Sequence, residues 1–308
     1  MRDPQSRLAC ASEKSASASN DMKLFSNAVR GFLIGIAEVI PGVSGGTIAL
    51  VVGIYERILE QVANFTKSIF GIRQGIASLK RLSKLDWPLI LPMLGGMVVA
   101  ILVGASVLEP LLETQREIMF ALFAGLILAS MYVPFQMLGR WSVRHYLLGL
   151  VGATIAFSLT SLPRAASQDP QLPAVFLVAM IAVCALVLPG VSGSFFLLAV
   201  GMYQPTIAAV NDRDFGYLGV FALGAIAGLM SFALLMQFLL ARYRAATLAV
   251  MTGLMLGSLR ALWPWQDENS QLLNPTEPLF PLIAFGSGIA IVVALIVVEA
   301  RLKANSNQ

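Results

Sequence analysis

Charge is scarce in this chain. Only 12% of its 308 residues are charged against 57% hydrophobic, with a mean hydropathy of +0.78, and so little polar surface cannot cover a water-soluble globule of this size. The sequence therefore reads as a membrane protein. Histidine occurs once, at His145, and cysteine twice, at Cys10 and Cys184; a disulfide framework or a metal centre has little to be built from, and no metal or cofactor is expected. His145 falls at a membrane boundary and reads as an interfacial residue. Basic clusters interleaved with aromatics are missing too, which excludes nucleic acid as a partner despite the net charge of +4. No apolar run precedes Leu8-Ala9-Cys10, so it is not read as a signal peptide. Residues 1–24 are rich in serine and alanine and are expected to form a disordered cytoplasmic tail.

What the chain does contain is a duplication. Ile40-Pro41-Gly42-Val43-Ser44-Gly45-Gly46-Thr47 returns 148 residues later as Leu188-Pro189-Gly190-Val191-Ser192-Gly193-Ser194-Phe195, and Gly53-Ile54-Tyr55 returns at the same offset as Gly201-Met202-Tyr203. A second block, Gly125 to Ser130, recurs as Gly253 to Ser258 at an offset of 128, so about twenty residues are inserted after the first motif. Repeat 1 covers 25–162 and repeat 2 covers 174–302.

Each repeat begins with a pair of apolar pieces too short to cross. Residues 28–40 give a helix of about 20 Å, short of the ~30 Å hydrocarbon core, before Pro41-Gly42 breaks it. The pair 28–54 is expected to be a re-entrant hairpin, as is 174–204, broken at Pro189-Gly190. Residues 55–85 carry Tyr55, Leu59 and Val62 on one helical face and Glu56, Arg57 and Glu60 on the other, an interfacial amphipathic helix. Spans follow at 87–109, 117–138 and 145–162, and again at 215–240, 245–264 and 279–300. The expected fold is an all-α polytopic membrane protein of two units, each a hairpin plus three transmembrane helices.

Charge orients this arrangement. With hairpins that return to their side of entry, 17 of the 21 basic residues share one face, and the other receives only Arg116, Arg164, Arg213 and Arg260. Positive residues favour the inside, which places both termini in the cytoplasm of a multi-pass protein of the bacterial inner membrane. Three crossings per unit then invert the second repeat relative to the first, the usual plan of alternating-access carriers.

After each Pro-Gly, the first backbone N–H groups of the second short helix lack intrahelical partners. Gly45, Gly46 and Gly193 would leave those donors uncovered, and the hydroxyls of Ser44, Thr47, Ser192 and Ser194 add to them, a set suited to a phosphate or carboxylate. A single Pro-Gly is commonly only a kink; two at matched positions point to a site. Glu38 is an acid inside an apolar run, and its counterpart is Leu186. It is placed either to exchange a proton or pair with a cation during transport, or merely to hydrogen-bond the hairpin. Arg260 either guides an anionic head group or snorkels at the outer boundary. Arg30 is a further head-group candidate, although attraction to the anionic inner leaflet explains it equally.

Glu38 to Thr47, followed by Gly53-Ile54-Tyr55-Glu56, and the second Leu188 to Ser194 resemble the bacterial polyprenyl-phosphate transporter family, formerly a domain of unknown function. The resemblance extends over about 25–302 and implies translocation of undecaprenyl phosphate from the outer to the cytoplasmic leaflet, for reuse as the carrier of cell-wall precursors. Its partners would be that lipid and the bilayer, with coupling to H⁺ or Na⁺ expected and the oligomeric state open. Two rivals stand beside it: an undecaprenyl-pyrophosphate phosphatase-like enzyme, and an ion-coupled carrier of a small soluble anion. The enzyme reading lacks an arginine after Ser44 or Ser192 to neutralise a transferring phosphoryl group.

Overall fold

A computed structural model of the chain describes residues 4–39, 44–70, 83, 85–161, 170–267 and 271–306. All its regular elements among these residues are helical. Repeat 1 comprises α1 (Pro4–Val39), α2 (Gly45–Val51), α3 (Tyr55–Phe70), α4 (Trp87–Thr114), α5 (Arg116–Ser130), α6 (Tyr132–Leu138) and α7 (Val143–Ser161). Repeat 2 comprises α8 (Leu172–Val187), α9 (Gly193–Ala199), α10 (Tyr203–Asn211), α11 (Phe215–Arg242), α12 (Arg244–Ser258) with a 3-10 turn (Leu259–Leu262), and α13 (Leu279–Ser306). Six stretches among the described residues are long and apolar enough to cross a membrane: 87–104, 116–138, 143–161, 215–242, 244–262 and 279–298. The chain is a multi-pass membrane protein.

The duplicated sequence makes duplicated local structure. Gly53 and Gly201 take φ of 70° and 74° and close α2 and α9 alike. In each copy the next residue's N–H reaches back five residues, Ile54 to Ala49 and Met202 to Leu197, the cap that a left-handed residue permits. Asp86 caps α4 by accepting the Leu89 N–H, and Asp214, 128 residues on, caps α11 by accepting those of Gly216 and Tyr217. Gln115 (φ −131°, ψ 39°) and Tyr243 (φ −130°, ψ 38°), also 128 apart, make the same bend before α5 and α12.

Packing repeats as well. α1 lies against α4 as α8 lies against α11, while α7 packs on α12 as α13 packs on α5, so each repeat sends its last helix to the other. These approaches are close. A Cβ on Gly125 would strike the Phe285 carbonyl and one on its duplicate Gly253 the Gly149 carbonyl, the small-residue contact that apolar helices use in lipid. The interior of the bundle holds α2: its every residue is buried, among Ile34 and Ala37 of α1, Phe232 and Met236 of α11, and Met251 and Met255 of α12. α12 is the central span, 61% buried against 22% for α4, α11 and α13. Leu102, Leu150, Leu223 and Leu282 are each more than 60% exposed on the outside of the bundle, where a membrane span meets hydrocarbon.

Several boundaries differ from those expected. Residues 4–24 are helical and continuous with the first hairpin arm, because nothing after Pro4 breaks the helix before Val39. Helix α3 is described as far as Phe70, and most of the remaining expected interfacial segment, with Pro41 and Gly42 at the first break, lies outside the described residues. The second arm of the second hairpin is cut at Gly201, which separates α9 from an additional short helix, α10. The third apolar run turns at Met131 into α5 and α6.

Candidate functional site

The start of α2, at Ser44 and Thr47, meets the second Pro-Gly turn, at Leu186 to Gly190. The Ser44 hydroxyl caps α2 by accepting the Gly46 N–H at 3.1 Å, and its own proton faces the carbonyls of Leu186 and Leu188 at 2.8 and 3.0 Å. In return the Gly190 N–H donates to the Thr47 hydroxyl at 2.9 Å. A Cβ on Gly46 would run into the Val187 carbonyl, so the glycine is what lets the tips touch. Ser44 and Thr47 are 1% and 0% exposed, and buried hydroxyls that are fully partnered hold such a contact in one arrangement.

The donors of the first tip are not open, which corrects the expectation drawn from the sequence. Glu38 accepts the Gly45 N–H on its Oε1 at 2.9 Å, and the Gly46 N–H goes to Ser44. The first N–H groups of a helix need an acceptor from outside it, and here the chain supplies its own. The second tip differs because Leu186 stands in Glu38's place. There the hydroxyls of Ser192 and Ser194 share a hydrogen bond of 2.9 Å, and Gly193 lies close against the Ala182 carbonyl. A cavity of about 30 Å³ borders Ser192, enclosed by Thr160, Gly190, Ser258 and Ala261, with room for about one water-sized group.

Arg260 adjoins two residues of that cavity's lining, Ala261 in sequence and Thr160 by a hydrogen bond. Its guanidinium donates to the Thr160 carbonyl and lies 5.5 Å from the centre of the Phe157 ring, which ties the 3-10 turn to the end of α7. Arg30 is placed elsewhere. It contacts Asn27 at 3.4 Å, some 12 Å further along α1 from Glu38 at ~1.5 Å per residue. The structure thus gathers Ser44, Gly45, Gly46, Thr47 and Glu38 with Gly190, sets Ser192 on the neighbouring cavity with Ser194 bonded to it and Gly193 between them in sequence, ties Arg260 to Thr160 of the same lining, and leaves Arg30 apart. Thr160 and Ser258 escaped the sequence reading. Ser258 ends the second repeated block, so the duplication carried its signal; Thr160 is brought in by the α7–α12 contact alone.

The sequence matches, over residues 34–278, the family described as undecaprenyl phosphate translocase-like. The chain belongs to that family. It is 35% identical over 268 residues, 86% of each chain, to the polyprenyl-phosphate transporter of Vibrio cholerae serotype O1. It is 28% identical over 265 residues, 79% of this chain and 87% of the other, to the polyprenyl-phosphate transporter of Staphylococcus aureus. No solved structure matches. As a member of the undecaprenyl phosphate translocase-like family, the chain is a transporter and not an enzyme.

Proposed function

We propose that the chain moves undecaprenyl phosphate from the outer to the cytoplasmic leaflet of the bacterial inner membrane, the head group crossing at the junction of the two tips. The observation that carries this reading is the direct contact between the duplicated motifs, Ser44 on Leu186 and Leu188 and Gly190 on Thr47, inside an apolar bundle. Taking a bare phosphate through hydrocarbon costs tens of kcal/mol, and drawing a long isoprenoid tail into water costs ~0.8 kcal/mol per CH₂. A route that keeps the head group in protein and the tail in lipid avoids both.

Re-entry of the first hairpin is supported by its two ends. Asn27 of α1 donates to the Pro88 carbonyl at 3.0 Å, and Arg57 of α3 pairs with Asp86, so residues 27 and 57 both adjoin the start of α4. The inverted repeat follows from that re-entry and three spans. The end bearing Arg57, Asp86 and Arg244 is then cytoplasmic, with both termini. The head group would be held by Ser44, Gly45, Gly46, Thr47, Ser192, Gly193 and Ser194 once the tips part, and the Ser192 side is the one with a cavity beside it.

Inward movement of an anion against a negative interior is opposed by ~2.3 kcal/mol per charge per 100 mV. Entry of H⁺ or Na⁺ with the lipid, through Glu38, offsets this. Glu38→Gln keeps an acceptor for the Gly45 N–H and removes the ionisable group; transport is expected to slow and to lose its pH dependence, and a variant with a wild-type pH profile rules the coupling out. Leaflet-resolved transport of a labelled polyprenyl phosphate in proteoliposomes tests the function itself. Ser44→Ala and Ser192→Ala are both expected to cut the rate at least tenfold, and a wild-type protein that does not move the lipid ends the reading.

A further inference from the structure

A second cavity lies away from the tips. About 500 Å³ in volume, it is bounded by Gly53, Tyr55 and Glu56 where α2 passes into α3, by Arg57, by Gln136 and Met137 of α6, and by Ile296 of α13. It has a counterpart in the other repeat: Val51 and Val133, both on its wall, fall by the offsets of 148 and 128 on Ala199 and Ala261, which line the 30 Å³ cavity beside Ser192. Equivalent elements of the two repeats thus enclose both spaces, one wide and one nearly shut.

Tyr55 sets the wide one apart. Its side chain is only 4% exposed, yet its hydroxyl has no hydrogen-bond partner. A buried hydroxyl left without a partner costs about as much as a lost hydrogen bond, so a site that keeps one holds it for a ligand. Tyr55 also opens α3, a 16-residue helix. The charges nearby leave room for an anion. Glu56 is held by both ends of the Arg244 guanidinium, at 3.1 and 2.7 Å, while Arg57 meets Asp86 and has further N–H groups to give. The remaining wall, Val133, Met137 and Ile296, is apolar and belongs to helices whose outer faces carry exposed Tyr132, Phe135 and Val297. One polar end and one apolar flank suit a phosphate monoester carrying a hydrocarbon chain.

We infer that this cavity is a second phosphate site, on the α3 side of the tips, in which the Tyr55 hydroxyl and Arg57 receive the head group while its chain leaves between α6 and α13. The inference rests on the transport reading above, as the station the head group reaches after the tips. The test is binding of farnesyl phosphate, farnesol and inorganic phosphate to the purified full chain, wild type and Tyr55→Phe, alongside thermal unfolding and leaflet-resolved transport. Tyr55→Phe removes an unpartnered group, so it is expected to unfold at the wild-type temperature or above. Its affinity for farnesyl phosphate is expected to fall roughly tenfold or more, the worth of one hydrogen bond to a charged group, with farnesol unaffected. Gln136→Ala on the facing wall is expected to weaken the same ligand by a smaller factor. Displacement of farnesyl phosphate by inorganic phosphate supports a site for the phosphate whatever carries it; its absence, with farnesyl phosphate still sensitive to Tyr55→Phe, supports a lipid-specific one. Unchanged farnesyl phosphate affinity in Tyr55→Phe, or equal binding of farnesol and farnesyl phosphate by the wild type, overturns the inference. Tyr55→Phe is expected to slow transport as well; a variant that moves lipid at the wild-type rate overturns this site and leaves the transport reading standing, whereas a wild-type protein that moves no lipid ends that reading.

Discussion

Glu38 and Ser44 decide how the first tip behaves, and each does so through one atom. Glu38 spends its Oε1 on the Gly45 N–H, and Ser44 spends its hydroxyl both on capping α2 and on the carbonyls of Leu186 and Leu188. Loss of an N-cap alone costs ~1 kcal/mol. Ser44→Ala also strands the Leu186 carbonyl at a buried junction and leaves that of Leu188 with the Val191 N–H alone, so its melting temperature is expected to fall well beyond that of Ser192→Ala, whose hydroxyl bonds Ser194. Gly46→Ala is a sharper change, since the added methyl meets the Val187 carbonyl and pushes the tips apart. Overpacking of this kind costs ~1–3 kcal/mol, and differential scanning of the two variants should show both ordered in that way. Ser44 was legible from the repeat and Glu38 as an acid in an apolar run, with a hydrogen bond to the hairpin as one of its two readings; that this bond takes the Gly45 N–H, and that Ser44 reaches Leu186 and Leu188, was not legible, because a motif does not say which carbonyls lie beside it.

At the scale of helices, stability resides in the four close pairs. Gly253 on α12 sits against the Gly149 carbonyl of α7, whereas Gly219 on α11 has nothing within 4 Å of the place a Cβ would take. Gly253→Ala is therefore expected to destabilise by ~1–3 kcal/mol. Gly219→Ala, on the same argument reversed, should be neutral or stabilising by up to ~1 kcal/mol through helix propensity. Thermal unfolding in one detergent, compared between the two, measures the difference; equal effects would mean that helix contact is not what holds the bundle. The six spans were readable as runs of apolar residues, and the extra helix α10 was not, because its nine residues look like a continuation of the second hairpin arm until Gly201 turns the chain.

For the molecule as a whole, topology is the consequence most open to measurement. In a chain with Cys10 and Cys184 replaced by serine, cysteines at Arg140 and Arg242 are expected to react with an impermeant reagent only from the cytoplasmic side, and one at Asp212 or Asn274 only from the outside. Were residues 28–54 to cross instead of returning, every later loop would label from the opposite side. The packing gives this topology a mechanical meaning. Because α7 docks on α12 and α13 on α5, neither repeat can move without shifting the other, and the narrow cavity at Ser192 and the wide one at Tyr55 are bounded by such shared contacts.

The amino-acid order by itself determined the membrane, the six spans and the duplicated motifs. These follow from local properties: apolar length, proline and glycine breaks, and charge along the chain. Only the tertiary structure decided that the tips touch, that Glu38 answers Gly45, that Arg260 reaches Thr160 and that Tyr55 is buried without a partner. Each of those depends on which backbone carbonyls and side chains are carried alongside from a hundred or more residues away, or around a turn, and on how closely glycine allows two helices to come.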